Sequence, residues 1–314
     1  MTALLDKSLL FVTGKGGVGK TTISAALAML MADNGRRVLL VELDTESSLK
    51  GVFGVDEIAT EPTEIMPNIS ACVLDPNDCM QKFVQRFVPS KRVARLMLEN
   101  KAAQIFFHSA PSVREAVILD QLAELADIDD DRFDVVVVDM PASGHAVKLL
   151  SVPRSMGRMV AVGDLADHLK KLAAMLEDEH HAELVVVALP EEMPVNETIE
   201  LVTTARDVLR VPLRHVVVNG VREPSVTNAD VALVEEMAVS LGPGASTAMG
   251  SLVDGLRLAS FWRTDDAQQV ARLRSSVRAK VCETPFVFRP TDDRSLVRTA
   301  ADALRRCLSS EVSA

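Results

Sequence analysis

Residues 14–22 read Gly-Lys-Gly-Gly-Val-Gly-Lys-Thr-Thr and fit the pattern G-x-x-x-x-G-K-[ST] from Gly14 to Thr21. The apolar run Leu9-Leu10-Phe11-Val12 precedes this stretch and a helical pattern, Thr22 to Met31, follows it. A strand, a glycine-rich loop and a helix in that order form a phosphate cradle. Gly14, Gly16, Gly17 and Gly19 let backbone N–H groups around Val18 converge on one anion, and the helix N-terminus adds partial positive charge. Lys20 is expected to reach β- and γ-phosphates, and the Thr21 hydroxyl to ligate Mg²⁺. A second lysine, Lys15, directly follows the first glycine.

The rest of the chain is built to carry such a loop. Several short runs rich in β-branched residues predict strands buried on both faces: 8–13, 37–43, 133–138, 184–189, 214–218 and 285–288, with 69–74 as a further candidate. Helical patterns lie between them. The fold class predicted is therefore α/β, a doubly wound, mostly parallel sheet flanked by helices, with a helical subdomain inserted after the second strand. One domain is expected over 1–310, with residues 311–314 as a frayed tail. The helical insert spans 76–128, with breaks at Pro89 and Pro111, and a second helical excursion spans 228–280, broken at Gly242-Pro243-Gly244. Arg86, Lys91, Arg92, Arg95 and Lys101 make part of the insert basic, with Phe83, Phe87, Val93, Leu96 and Leu98 between them. An amphipathic cap accounts for that pattern, and a docking face for a partner is the sharper reading.

Composition narrows the classes. A chain of 314 residues with 48% hydrophobic residues has ample core, and a net charge of −10 argues against general nucleic-acid binding. Leu4-Leu5 is too short an apolar stretch for a signal peptide, and no run approaches the ~18 apolar residues of a membrane span, so a soluble cytoplasmic protein is expected. The four cysteines, Cys72, Cys79, Cys282 and Cys307, contain no C-x-x-C pair and suggest no disulfide framework, which fits a reducing compartment. Cys72 and Cys79 read as small core residues, and the 13 scattered methionines as core filling.

Two further carboxylates belong with the loop. Strand 37–43 ends at Asp44 and strand 133–138 at Asp139, and ligands of an open parallel sheet sit at the carboxyl ends of its strands. Asp139, after four valines, fits the aspartate that holds Mg²⁺ through its water shell, and Pro141 and Gly144 follow as a phosphate-sensing loop. Asp44 is either a helix cap for 45–50 or a group orienting an attacking water, and spacing leaves both open.

Four segments give a family resemblance: Gly14–Thr22; Asp44-Thr45-Glu46-Ser47-Ser48-Leu49 through Phe53-Gly54; Asp139 to His145 through Leu149-Leu150 and Pro153; and Pro190-Glu191-Glu192 to Glu197-Thr198, followed by Val218-Asn219. Together they resemble the deviant phosphate-loop ATPases, the group that includes MinD, ParA and ArsA-type ATPases. Within it they resemble the arsenite-pump and tail-anchored-protein-targeting members. The resemblance implies an ATP-hydrolysing dimeric switch with ATP and Mg²⁺ as ligands. Lys15 would reach across a homodimer interface to the partner's phosphates; the alternative partner for the chain is a related ATPase chain. Asp44 would position the hydrolytic water and join Thr21 and Asp139 around the metal. Asp139, Gly144 and His145 would form switch II, Asn219 would bond adenine, and Glu191 and Pro290 would complete the nucleotide site.

The chain also departs from that family. Thr45-Glu46 replaces Pro-Ala, only about thirty residues separate Pro153 from the strand at 184, and the zinc C-x-x-C of eukaryotic members is missing. The expected function is control of a protein client's docking by Mg-ATP. A positioning ATPase acting on DNA or membrane through 86–101 or the terminal helix 292–308, and a weakly hydrolysing scaffold, are the alternatives. Lys20→Ala is expected to abolish nucleotide binding, because it removes the charge around which the loop is built. Equilibrium titration with ATP checks this, and normal affinity would refute the assignment.

Overall fold

The computed structural model describes residues 4–43, 48–88, 90, 92, 93, 96, 99, 100, 112–127, 132–158, 162–223, 227–240, 246–288 and 292–309. Among them, eight strands form one sheet: β1 Leu9–Gly14, β2 Val38–Glu42, β3 Thr63–Met66, β4 Ile69–Val73, β5 Val135–Asp139, β6 Ala182–Ala188, β7 His215–Val221 and β8 Lys280–Pro285. The spatial order is β3-β4-β2-β5-β1-β6-β7-β8. Every neighbouring pair is parallel except β3–β4, an antiparallel hairpin at one edge. Residues 69–74 do supply a strand; β3, mostly exposed and without an apolar run, carried no such signal. The last strand lies five residues ahead of the predicted 285–288. Its polar residues Lys280, Glu283 and Thr284 mask it as a run, whereas Phe286 and Phe288 beyond it stay exposed.

The helices, in chain order, are α1 Lys20–Asp33, α2 Leu49–Phe53, α3 Pro76–Phe87, α4 Val113–Leu125, α5 Ser143–Gly157, α6 Asp164–Glu177, α7 Glu192–Thr204, α8 Asn228–Ser240, α9 Ser246–Ser276 and α10 Asp293–Ser309. Successive strand side chains point to opposite faces, so Leu9 and Phe11 join the core under α4 to α7, while Leu10 and Val12 join the core under α1 and α10. Burial on both faces is why these strands read as unbroken apolar runs.

Helix α1 is apolar almost all round. Every residue from Ile23 to Met31 is buried, because the sheet covers one side and α10 the other. Helix α10 contributes Val297, Ala300, Ala301, Leu304 and Leu308 at helical spacing, and its Arg298 and Arg305 both bond Asp33 at the end of α1. The terminal helix thus packs back on the domain.

The insert begins at α3, whose N-cap Asp75 accepts from the N–H groups of Asn77 and Asp78, with Pro76 at the first helical position. Arg86 turns inward, its Nη1 2.6 Å from the buried Asp120 of α4, and Asp120 also lies 2.6 Å from His168 Nε2 of α6. That residue of the basic segment is spent on an internal network, whereas Arg92, Val93 and Leu96 are exposed. Lys91, Arg95, Leu98, Lys101, the breaks at Pro89 and Pro111, and Gly242-Pro243-Gly244 lie outside the described residues.

One expectation from cysteine spacing fails. Cys282 of β8 and Cys307 of α10 are joined in a disulfide across 25 residues, with Cα atoms 5.7 Å apart. Separation along the chain concealed a contact that α10 makes by lying across β8. Cys72 and Cys79 are free and buried as expected; burial pushes their thiols up to about 12 and about 11 respectively, away from the reactive thiolate form.

Leu304 is 1% exposed at the centre of the α1–α10 contact. Leu304→Ala is expected to lower the unfolding free energy by about 2–5 kcal/mol, through lost apolar contact and an unfilled cavity. Urea denaturation followed by circular dichroism checks this, and a midpoint equal to that of the parent would refute it.

Candidate functional site

Central strand β1 runs between β5 and β6, so its carboxyl end delivers Gly14 to the middle of the sheet's edge. There the backbones nearly touch: a Cβ on Gly14 would collide with the Val187 carbonyl oxygen of β6. Only glycine allows this approach. Gly19 has φ of 88° as the N-cap of α1, and a Cβ there would overlap the Asn219 side-chain amide. Gly16 and Gly17 are exposed at the loop's crest and Val18 is buried beneath it.

Asn219 of β7 anchors the loop from the other side. Its Nδ2 donates to the Val18 carbonyl at 2.9 Å, and its Oδ1 accepts from the Thr284 hydroxyl of β8 at 2.8 Å. The amide is thereby held beside the loop. Lys20 curls back over the crest, its Nζ 3.2 Å from the Lys15 carbonyl oxygen. Thr21 and Thr22 lie half-buried in the first turn of α1.

The carboxylate of Asp139, at the end of β5, reaches α1. Oδ2 accepts from the Thr21 hydroxyl at 2.6 Å and Oδ1 from the Ser24 hydroxyl at 3.1 Å. On the neighbouring strand Glu42, in register with Asp139 and 2% exposed, accepts from the Ser48 N–H at 2.8 Å. Thr13 donates to the Pro141 carbonyl at 3.1 Å and ties β1 to the segment after Asp139. A threonine hydroxyl can keep its bond to Asp139 while offering a lone pair to a cation, and oxygen donors of this kind suit a hard divalent ion such as Mg²⁺.

Lys15 points elsewhere. Its Nζ lies 2.8 Å from Glu197 Oε1 of α7, with the two side chains 37% and 41% exposed. Gly144 and His145 sit exposed in the first turn of α5, where the His145 N–H bonds the Ala142 carbonyl at 2.9 Å. Glu191 is exposed at the N-cap of α7, after β6. Asp44 and Pro290 lie outside the described residues.

The fold therefore brings Gly14–Thr22, Asp139 and Asn219 into one constellation, and leaves Gly144, His145 and Glu191 at the surface on the same strand-end side. Spacing gave no reason to single out Thr13, Glu42 or Thr284. Ser24 alone had a local signal, since it lies one helical turn after Thr21 and shares its face. The partnership of Glu197 with Lys15, 182 positions away, had none.

Comparison with known proteins agrees with this geometry. The family of anion-transporting ATPases, ArsA ATPases, matches residues 7–163, which is half of the chain and runs from β1 through α5. A putative ATPase of Mycobacterium bovis is 27% identical over 256 residues, covering 79% of this chain and 74% of that protein. A homologue of the ASNA1 ATPase in Paramecium tetraurelia is 25% identical over 257 residues, covering 68% and 75%. The arsenical pump-driving ATPase of Escherichia coli is 28% identical over 269 residues, but this chain spans only 44% of its length. A phosphate cradle wedged between β5 and β6, a Thr21–Asp139 pair beside it and a family match across both identify this chain as a member of the ArsA ATPase family, an enzyme that binds and hydrolyses ATP.

Proposed function

We propose that the protein is a dimeric switch, in which Mg-ATP binding draws two copies together and hydrolysis releases them, and that this cycle controls docking of a protein client. The observation carrying the reading is Lys15. It sits at the mouth of its own phosphate loop, yet its ammonium is turned outward to Glu197 while Lys20 covers the crest. A cation in that position is available to phosphates presented by a second subunit.

Within one subunit, the loop N–H groups and Lys20 bind the phosphates and fix their orientation. Mg²⁺ would be held by Thr21, Asp139 and Asp44, and when bound it would supply neutralisation of phosphate charge. Asp44, two residues beyond β2, orients the water, and Lys15 from the opposite copy stabilises charge developing on the phosphates. Asn219 holds the base, Pro290 is a further nucleotide-contacting residue, and Glu191 contributes at the interface. Gly144 and His145 sense the γ-phosphate and pass its loss to α5. A related ATPase chain could take the place of the second copy.

The client-docking part rests on exposed apolar side chains within the insert, Val93 at 49% and Leu96 at 60%. A membrane or DNA matrix is less well supported: the apolar face of α10 is buried, and Arg298 and Arg305 are bound to Asp33. Among the described residues, no helix is long and apolar enough to cross a membrane.

Lys15→Ala is expected to leave ATP affinity within about threefold while lowering kcat by at least about 100-fold, because the residue acts on the transition state. It should also abolish ATP-dependent dimers in light scattering, and a parent-like kcat would exclude the role. Asp44→Asn is expected to keep ATP binding and slow phosphate release strongly; unchanged turnover would reject Asp44 as the water-orienting group. Held with Mg-ATP, that variant should bind a fluorescent leucine-rich helical peptide more tightly than it does with ADP, and equal binding would count against the client.

A further inference from the structure

The disulfide lies on the route from the sheet edge to the phosphate cradle. Cys282 occupies β8 two residues before Thr284, whose hydroxyl bonds Asn219, which in turn bonds the Val18 carbonyl of the loop. Cys307 occupies α10, the helix that covers α1. The S–S bond therefore fixes β8, and with it Thr284, against the helix that backs the cradle.

The two cysteines differ in exposure. Cys282 is 1% exposed, within the core. Cys307 is half-buried and lines an open cavity of about 480 Å³ between the ends of β7 and β8 and the last turns of α9 and α10. Arg222, Arg274 and Arg306 line the same cavity, against Glu223 and Glu283. Arg222 is held by Asp266 at 2.6 Å and Arg274 by Glu283, while Arg306, next to Cys307 in sequence, is exposed. A small anionic thiol would find room there, with a guanidinium for its carboxylate beside the more exposed of the two cysteines.

We propose that Cys282–Cys307 is a thiol–disulfide exchange site for low-molecular-weight anionic thiols, and that its redox state sets nucleotide affinity. In the reducing direction a thiolate attacks Cys307 Sγ, the protein S–S bond breaks, and Cys282 leaves as a thiolate that takes up a proton. A second thiolate attacks the small-molecule sulfur of the mixed disulfide. It leaves with that sulfur as the small-molecule disulfide and frees the Cys307 thiolate. Two thiols are oxidised and one protein disulfide is reduced; the small-molecule disulfide drives the reverse. The reduced chain stays folded, because the apolar face of α10, its bonds to Asp33 and the Lys280 Nζ bond to the Cys307 carbonyl at 2.8 Å remain. What it loses is the covalent hold on β8, and with it the placement of Thr284 and Asn219.

The inference does not depend on dimerisation, since ADP binding to one chain reads it. The full chain would be equilibrated over a series of reduced-to-oxidised glutathione ratios, quenched by alkylation and weighed, and its ADP affinity measured by calorimetry at each ratio. The oxidised form should bind ADP at least threefold more tightly than the reduced form. Cys307→Ser and Cys307→Ala should both hold the reduced-form affinity at every ratio. Cys282→Ala should accumulate a glutathione adduct on Cys307, and neither Cys307 variant should gain one on Cys282. No intramolecular disulfide at any ratio, equal ADP affinity in both states, or an adduct found on Cys282 would each overturn the proposal.

Discussion

The parallel pairing of β1 with β5 on one side and β6 on the other is the constraint on which the rest of the site depends. Parallel pairing sends the carboxyl ends of all three strands to one edge, so Gly14, Asp139 and the start of α7 emerge together. The contact is close enough that Gly14 has no room for a side chain against Val187. With β1 fixed, α1 must begin where it does, and Thr21 and Ser24 meet the Asp139 carboxylate at 2.6 and 3.1 Å. A hydroxyl pair on a helix and a carboxylate on a strand thereby become a single unit of oxygen ligands. Movement of β5 would be transmitted directly to the phosphate loop.

Helix α1 cannot stand on its own. Its sequence includes two threonines, an isoleucine and a serine, and it presents apolar groups in every direction. Its stability comes from being enclosed by the sheet and by α10, the last helix of the described chain. Residues 265 and 272 positions apart thus cooperate to hold the cradle. This enclosure also explains the fate of the terminal basic residues: Arg298 and Arg305 flank a buried face and close on Asp33, so the helix is a structural clasp.

Ion pairs in this protein do different work according to burial. Asp120, 3% exposed and engaged by Arg86 and His168, joins α3 and α4 of the insert to α6, and removing one partner would leave a buried charge uncompensated. Lys15 and Glu197 are each more than a third exposed, and a pair so well solvated contributes only about 0–1 kcal/mol. That difference matters for function. A weakly held lysine can exchange its carboxylate for a phosphate at little cost, whereas the Asp120 network is built to stay closed.

Local sequence determined the elements that local physics controls. Unbroken valine and leucine runs gave strands buried on both faces, and the glycine spacing gave a phosphate loop. The position of Asp139 after four valines placed a carboxylate at a strand end. Only the tertiary structure decided the contacts that close across long stretches of chain. Asn219 bracing Val18, Thr284 bracing Asn219, Glu197 holding Lys15 and Cys282 joined to Cys307 all require strands and helices to be stacked before their side chains meet. Strand β8 shows the same limit from the other direction. Its polar residues hide it as a run, and pairing with β7 in a fixed register is what makes it a strand. Periodicity reports what a segment buries, but a partner 65 or 182 positions away is set by sheet order and helix packing, which no single segment encodes.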